Sequence, residues 1–220
     1  MIAALIFDMD GLLVDSESVW AIAEENLLTR RGFTVNAEVR ESLIGLRMDE
    51  FMAKMRSAYQ MTDSLDALME ELTLDMLRMI PEKVRPQPGA NELVQYVAQQ
   101  GITRAIASSS PLRIIDATLT AKGWDTVFSV RCSADHEKRG KPAPDVYLRA
   151  AEKLGVAPQD CLALEDSPNG ARAAVAAGMT CYAVPDLSHT QPQAFAPITP
   201  HVFGDLHQVL AHMRANGIIS

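Results

Sequence analysis

Ile2-Ala3-Ala4-Leu5-Ile6-Phe7-Asp8-Met9-Asp10-Gly11-Leu12-Leu13-Val14-Asp15-Ser16-Glu17 carries an unbroken apolar run that ends on two carboxylates one residue apart. A short apolar run stopped by a turn signal reads as a buried strand of a parallel sheet. Open α/β sheets bind ligands beyond the carboxyl ends of their strands, which puts Asp8 at that rim. Beside a hard divalent cation that also grips a phosphate oxygen, such a carboxylate can attack phosphorus. One slow hydrolysis is then split into two easier steps through an aspartyl-phosphate. Asp10 is left to protonate the departing alcohol and to deprotonate the attacking water, and Gly11 lets the chain turn tightly. The same letters also fit a strand running into an Asx-rich turn, so the rest of the chain must decide.

At 220 residues the chain can hold one large α/β domain, or one domain with a smaller insertion. Its net charge of −8 argues against a nucleic-acid binder, which needs cations to displace counterions. A small phosphorylated partner remains open, because local groups and a metal decide that question. Cys132, Cys161 and Cys181 form neither a Cys-x-x-Cys pair nor a zinc set, and read as reduced core thiols of a cytoplasmic protein. The N-terminal apolar run is too short for a signal peptide. No stretch approaches the roughly 18 apolar residues of a membrane span.

From residue 88 to about 183, helical and strand patterns alternate with short connections, as in a parallel sheet covered on both faces. Helices are expected over 88–100, 111–122, 144–154, 168–177 and 205–215. Strands are expected over 2–7, 103–107, 127–131, 161–164 and 180–184. Between residues 16 and 84 the spacing is helical instead, at Val19, Ala23 and Leu27 and again at Leu65, Met69, Leu72 and Met76. This block reads as an all-helical insertion, with Ser16 capping its first helix and Gly32 ending it. It holds Met48, Met52, Met55, Met61, Met69, Met76 and Met79, suited to filling a small helical core. A helical unit above a rim of acids makes a lid.

Three more segments fall on the same rim. The strand at 103–107 runs into Ser108-Ser109-Ser110, whose hydroxyls and backbone N–H groups, with a helix N-terminus behind them, can hold phosphate oxygens. Gly140-Lys141-Pro142 fixes a lysine ahead of a helix, where its ammonium can neutralise a phosphoryl group and the crowded acids. The strand at 161–164 ends in Glu165-Asp166-Ser167, which with Asp8 supply the hard oxygens that Mg²⁺ takes.

Asp8-Met9-Asp10-Gly11, Ser108, Lys141 and Glu165-Asp166, in this order and each beside a strand end, resemble the four motifs of the haloacid dehalogenase superfamily. The resemblance implies an α/β fold, a Rossmann-like doubly wound parallel sheet with an inserted all-helical cap. The core would be residues 1–15 and 85–220 and the cap 16–84. It also implies Mg²⁺ held by Asp8, the Asp10 backbone carbonyl and Asp166, with Glu165 acting through a water.

Within that superfamily the second acid, Asp10, argues against carbon–halogen chemistry, which has no alcohol to protonate. The 10–17 and 140–145 strings look most like the β-phosphoglucomutase and sugar-phosphate phosphatase branch. Trp20 stands where the mutase has a cap histidine, and no histidine precedes His136. The expectation is therefore an Mg²⁺-dependent phosphatase of a small phosphorylated metabolite, most simply a sugar phosphate. Asp8, Asp10, Ser108 and Lys141 would be its catalytic residues, and Gly11, Ser109, Trp20 and Arg47 would contact substrate. Arg47, in the Gly45-Leu46-Arg47 interruption, is expected to point its guanidinium into the cleft. A phosphomutase and a non-catalytic binding protein on the same fold are the alternatives. A monomer is expected, with no membrane or nucleic-acid partner.

Overall fold

The computed structural model describes residues 2–43, 46–187 and 190–217. Gly45 lies outside them. The elements run β1 (Ala4–Phe7), β2 (Val14–Asp15), α1 (Glu17–Thr29), α2 (Ala37–Glu41), α3 (Met48–Ala58), α4 (Leu65–Lys83) and β3 (Arg85–Pro86). There follow α5 (Ala90–Gln99), β4 (Thr103–Ser108), α6 (Leu112–Lys122), β5 (Val130–Ser133), α7 (Asp145–Leu154), β6 (Cys161–Glu165), α8 (Pro168–Ala176), β7 (Thr180–Ala183) and α9 (Leu206–Asn216).

Five strands pair in the order β5-β4-β1-β6-β7, all parallel, with β1 in the middle. The two-residue period of a strand sorts the core into two faces. Leu5, Phe7, Ile106, Leu162 and Leu164 pack on one side with residues of α5, α6 and α9. Ala4, Ile6, Ala105, Ala107, Ala163 and Cys181 face the other, against Ala150, Ala151, Ala171, Ala173 and Ala174 of α7 and α8. Small residues on both partners allow α7 and α8 to lie close to the sheet. α7 packs against β4, β5 and β1, and α8 against β6 and β7.

Helices α1 to α4 lie between β2 and β3, whose antiparallel pairing sets Val14 opposite Pro86 and Asp15 opposite Arg85. The insertion thus leaves and returns through one short stalk. Met48, Met52, Met55, Met61 and Met76 are buried in it with Leu27, Leu68 and Leu72, while Met69 and Met79 are partly buried.

Two expected elements differ. The strand placed at 127–131 is Val130–Ser133, because Val127 and Phe128 turn back on the Trp124 carbonyl. The apolarity of Phe128 serves core packing instead, its ring edge-on to Phe7 at 5.5 Å. Ser16 occupies the N-cap position of α1 but makes no capping bond. Its hydroxyl donates to Asp10 Oδ1 at 2.7 Å, since a carboxylate is the stronger acceptor.

Candidate active site

β1 delivers Asp8 to the carboxyl edge of the sheet, where its backbone N–H donates to the Leu164 carbonyl of β6. β4 delivers Ser108 from one side and β6 delivers Glu165 from the other. The loop before α7 brings in Lys141, almost fully buried. Its Nζ donates to Asp8 Oδ1 at 2.5 Å, Glu165 Oε1 at 2.6 Å and the Ala107 carbonyl at 3.1 Å. Burial works against the ammonium's charge, but Asp8 and then Glu165 outweigh it and hold the lysine above its ordinary range.

The carboxylates are less well compensated. Burial pushes Asp8 well above the usual carboxylate range, more than the attraction of Lys141 offsets. Burial raises Asp166 in the same way, with repulsion from Asp8 and Glu165 adding to it. Oxygens of Asp8, Glu165 and Asp166 lie within 4.8 Å of one another. Three buried acids crowd together here beside the Lys141 ammonium, and a divalent cation would offset their mutual repulsion. The donor set is all hard oxygen and fits Mg²⁺ in kind.

Glu165 is the member already engaged. Its Oε1 accepts from Lys141 and from Tyr147 Oη at 2.6 Å, and its Oε2 from the Ser167 N–H and hydroxyl at 3.3 and 3.2 Å. A Cβ at Gly170 would fall 1.8 Å from Oε1. Glu165 therefore anchors Lys141 while its oxygens stay grouped with those of Asp8 and Asp166.

Asp10 is held at the opposite wall. Ser16 bonds Oδ1, while the hydroxyls of Ser108 at 3.1 Å and Ser110 at 2.8 Å donate to Oδ2. Ser108 Oγ in turn accepts from the Ser110 N–H at 2.9 Å.

The acids open onto a cleft between the sheet edge and the insertion. Asp8, Asp10, Ser108, Ser109, Ser110, Lys141 and Asp166 form its floor. Glu17, Trp20, Glu24, Arg40, Leu43, Leu46, Met48 and Phe51 line it from the insertion. No histidine lines it among the described residues.

Two expected contacts are corrected. Gly11 is not in the lining. It turns at φ +80, and a Cβ there would fall 2.3 Å from Asp166 Oδ2, so its smallness seats Asp166. Arg47 is not in the lining either, because closer acceptors hold it. Its guanidinium pairs with Asp49 at 2.6 Å and donates to the Glu137 carbonyl at 2.8 Å, tying the start of α3 to the core.

Tyr147, Glu24 and Arg40 lie outside the four sequence motifs. Glu17, Trp20 and Glu24 stand at helical spacing on one face of α1, a pattern that points to Glu24. Arg40 has no comparable signal.

Acids and a buried ammonium gathered at the carboxyl edge of a parallel sheet, beneath an inserted helical unit, define a capped α/β enzyme. Residues 5–184 match the model of the haloacid dehalogenase-like hydrolases, and the chain belongs to that family. It is 37% identical over 188 residues to hexitol phosphatase B of Escherichia coli (strain K12), covering 84% of each protein. It is 30% identical over 176 residues to the phosphorylated carbohydrates phosphatase of Thermotoga maritima, covering 80% of this chain and 82% of that protein. The crystal structure of CbbY from Rhodobacter sphaeroides in complex with phosphate superposes with a TM-score of 0.84 at 25% identity, covering 95% of this chain and 96% of that one. No helix among the described residues is long and apolar enough to cross a membrane.

Proposed function

We propose that the cleft hydrolyses the phosphate ester of a small metabolite, a sugar phosphate, with Asp8 as nucleophile. The observation that carries this reading is Asp8 at the end of β1, one oxygen on the buried Lys141 Nζ and the other group of acids beside it, facing a cleft that also holds Asp10 and Ser108. Asp8 attacks phosphorus as the bond to the ester oxygen breaks, and Asp10 gives that oxygen a proton. Asp10 then takes a proton from water, which attacks the aspartyl-phosphate and releases inorganic phosphate. Ser108, Ser109 and Lys141 hold the phosphoryl oxygens. Asp8, Asp166 and the Asp10 backbone carbonyl would hold Mg²⁺, which supplies charge neutralisation at the phosphoryl group. Residues 16–84 act as a cap over the core of residues 1–15 and 85–220. The named activities of the relatives support this assignment as a phosphoric monoester hydrolase. Buried free thiols at Cys132, Cys161 and Cys181 fit a cytoplasmic protein, which we read as a monomer.

Release of phosphate from p-nitrophenyl phosphate and from a panel of sugar phosphates tests the reading directly. A non-catalytic binding protein would release none. Activity should vanish in excess chelator and return with Mg²⁺. Ca²⁺ should inhibit, because its larger and looser shell disturbs in-line geometry. Undiminished turnover in chelator would remove the metal from the mechanism.

A mutase must return the phosphoryl group to a reoriented sugar, and Trp20 offers no proton chemistry for that return. Incubation with β-glucose 1-phosphate and a trace of the bisphosphate should therefore yield free phosphate in excess of glucose 6-phosphate. The opposite ratio would assign the chain to the mutases.

A further inference from the structure

The cap wall of the cleft contains a charge pair that the hydrolytic step does not use. Glu24 is buried in α1, its side chain 8% exposed, and Arg40 Nε from α2 lies 3.3 Å from its Oε2. The pairing is imperfect. Arg40 Nε is buried and makes no hydrogen bond among the described residues, and Nη2 reaches the Glu17 carbonyl at 3.5 Å. The Arg40 side chain is 36% exposed, so Glu24 is the buried partner, and a buried carboxylate repays its desolvation only when its hydrogen-bonding capacity is satisfied. This one keeps capacity in reserve where the cleft opens, and both residues line that cleft.

We propose that Glu24 and Arg40 form a leaving-group subsite that selects monophosphates of uncharged polyhydroxyl compounds and rejects esters carrying a second anion. The proposal rests on the phosphatase reading above. The sign of the wall favours it. Glu17 and Glu24 face the cleft with one guanidinium between them, above a floor where Asp8, Asp10 and Asp166 already outnumber Lys141. A second phosphate or carboxylate would have to displace Glu24 from Arg40 and then sit among these acids. A hydroxyl meets no such conflict, since it donates to a carboxylate and accepts from a guanidinium at once. Neighbouring hydroxyls can engage both partners, while the C–H face of the carbon chain lies on Trp20, Leu46 and Phe51. Burial also pushes the Glu24 carboxyl up to about 7 despite the opposing pull of Arg40, as expected for a carboxylate short of donors.

The test compares kcat/KM for sorbitol 6-phosphate, 3-phosphoglycerate and p-nitrophenyl phosphate in wild type, Glu24→Gln, Arg40→Met and Arg40→Lys. In wild type the polyol ester should exceed the phosphoglycerate by on the order of 10²-fold, because a polar subsite left unpaired discriminates strongly. Glu24→Gln and Arg40→Met should each lower the ratio of polyol ester to aryl ester by about tenfold or more, chiefly through KM. Arg40→Lys, which keeps the charge, should fall between, and Glu24→Gln should narrow the preference against phosphoglycerate. Melting curves identify any variant that fails to fold, and the conservative Arg40→Lys then carries the comparison. Ratios within twofold of wild type would overturn the subsite, as would wild-type hydrolysis of phosphoglycerate equal to that of the polyol ester. Absence of release from the aryl ester by wild type would overturn the phosphatase reading and the subsite with it.

Discussion

Asp8→Asn is expected to lower phosphate release by at least on the order of 10⁴-fold while the protein stays folded, as removal of a covalent nucleophile does elsewhere. The amide keeps the size and shape of the carboxylate but cannot form the acyl-phosphate bond. Stability should change little. The lost attraction to Lys141 is offset by removing one of three crowded, buried acids, and Lys141 keeps Glu165 at 2.6 Å. A purified Asp8→Asn protein that melts like wild type and hydrolyses nothing is the predicted result. Wild-type-like turnover would eliminate Asp8 as the nucleophile.

Lys141→Ala should damage both stability and activity. Removing one partner of a buried charge cluster costs roughly 3–5 kcal/mol, because the remaining charges stay buried without compensation. Turnover should fall on the order of 10²–10³-fold as the phosphoryl group loses its ammonium. The damage should grow with pH. Asp8 and Asp166 have folded-state pKa values raised above the unfolded ones. The stability they contribute is complete below the unfolded carboxylate range and declines as pH rises through the folded values. With Lys141 gone, its attraction no longer opposes that rise, so the melting temperature of Lys141→Ala in chelator should fall between pH 5 and pH 8 more steeply than that of wild type. Parallel curves would show that Lys141 does not compensate these acids. Lys141→Arg should not rescue activity, since a planar fork cannot place one donor among Asp8, Glu165 and the Ala107 carbonyl.

Much of the core was legible because its signals are local. The run before Asp8 is apolar on both strand faces, as a central parallel strand must be, and it is the middle strand of the sheet. Helix ends at Gly123 and Gly155 carry positive φ where the chain turns. At Val127 and Phe128 local apolarity serves tertiary packing instead, and the strand begins at Val130. Capping is a local habit of serine, yet at Ser16 an acceptor six residues back captures the hydroxyl.

From the order of residues alone came the parallel sheet, the helical insertion after β2, and the identity of the acids, serine and lysine at the sheet edge. Period, turn chemistry and strand ends depend on neighbours within a few positions, so they are written in the chain. The direction of each long side chain is not. Arg47 turned to the Glu137 carbonyl, 90 residues away. Glu165 turned to Lys141 and Tyr147, and Arg40 of α2 reached Glu24 of α1 within the cap wall. Those choices were made by whichever partners the packed fold left nearest, since a buried charge settles on the best available counter-charge or hydrogen bond.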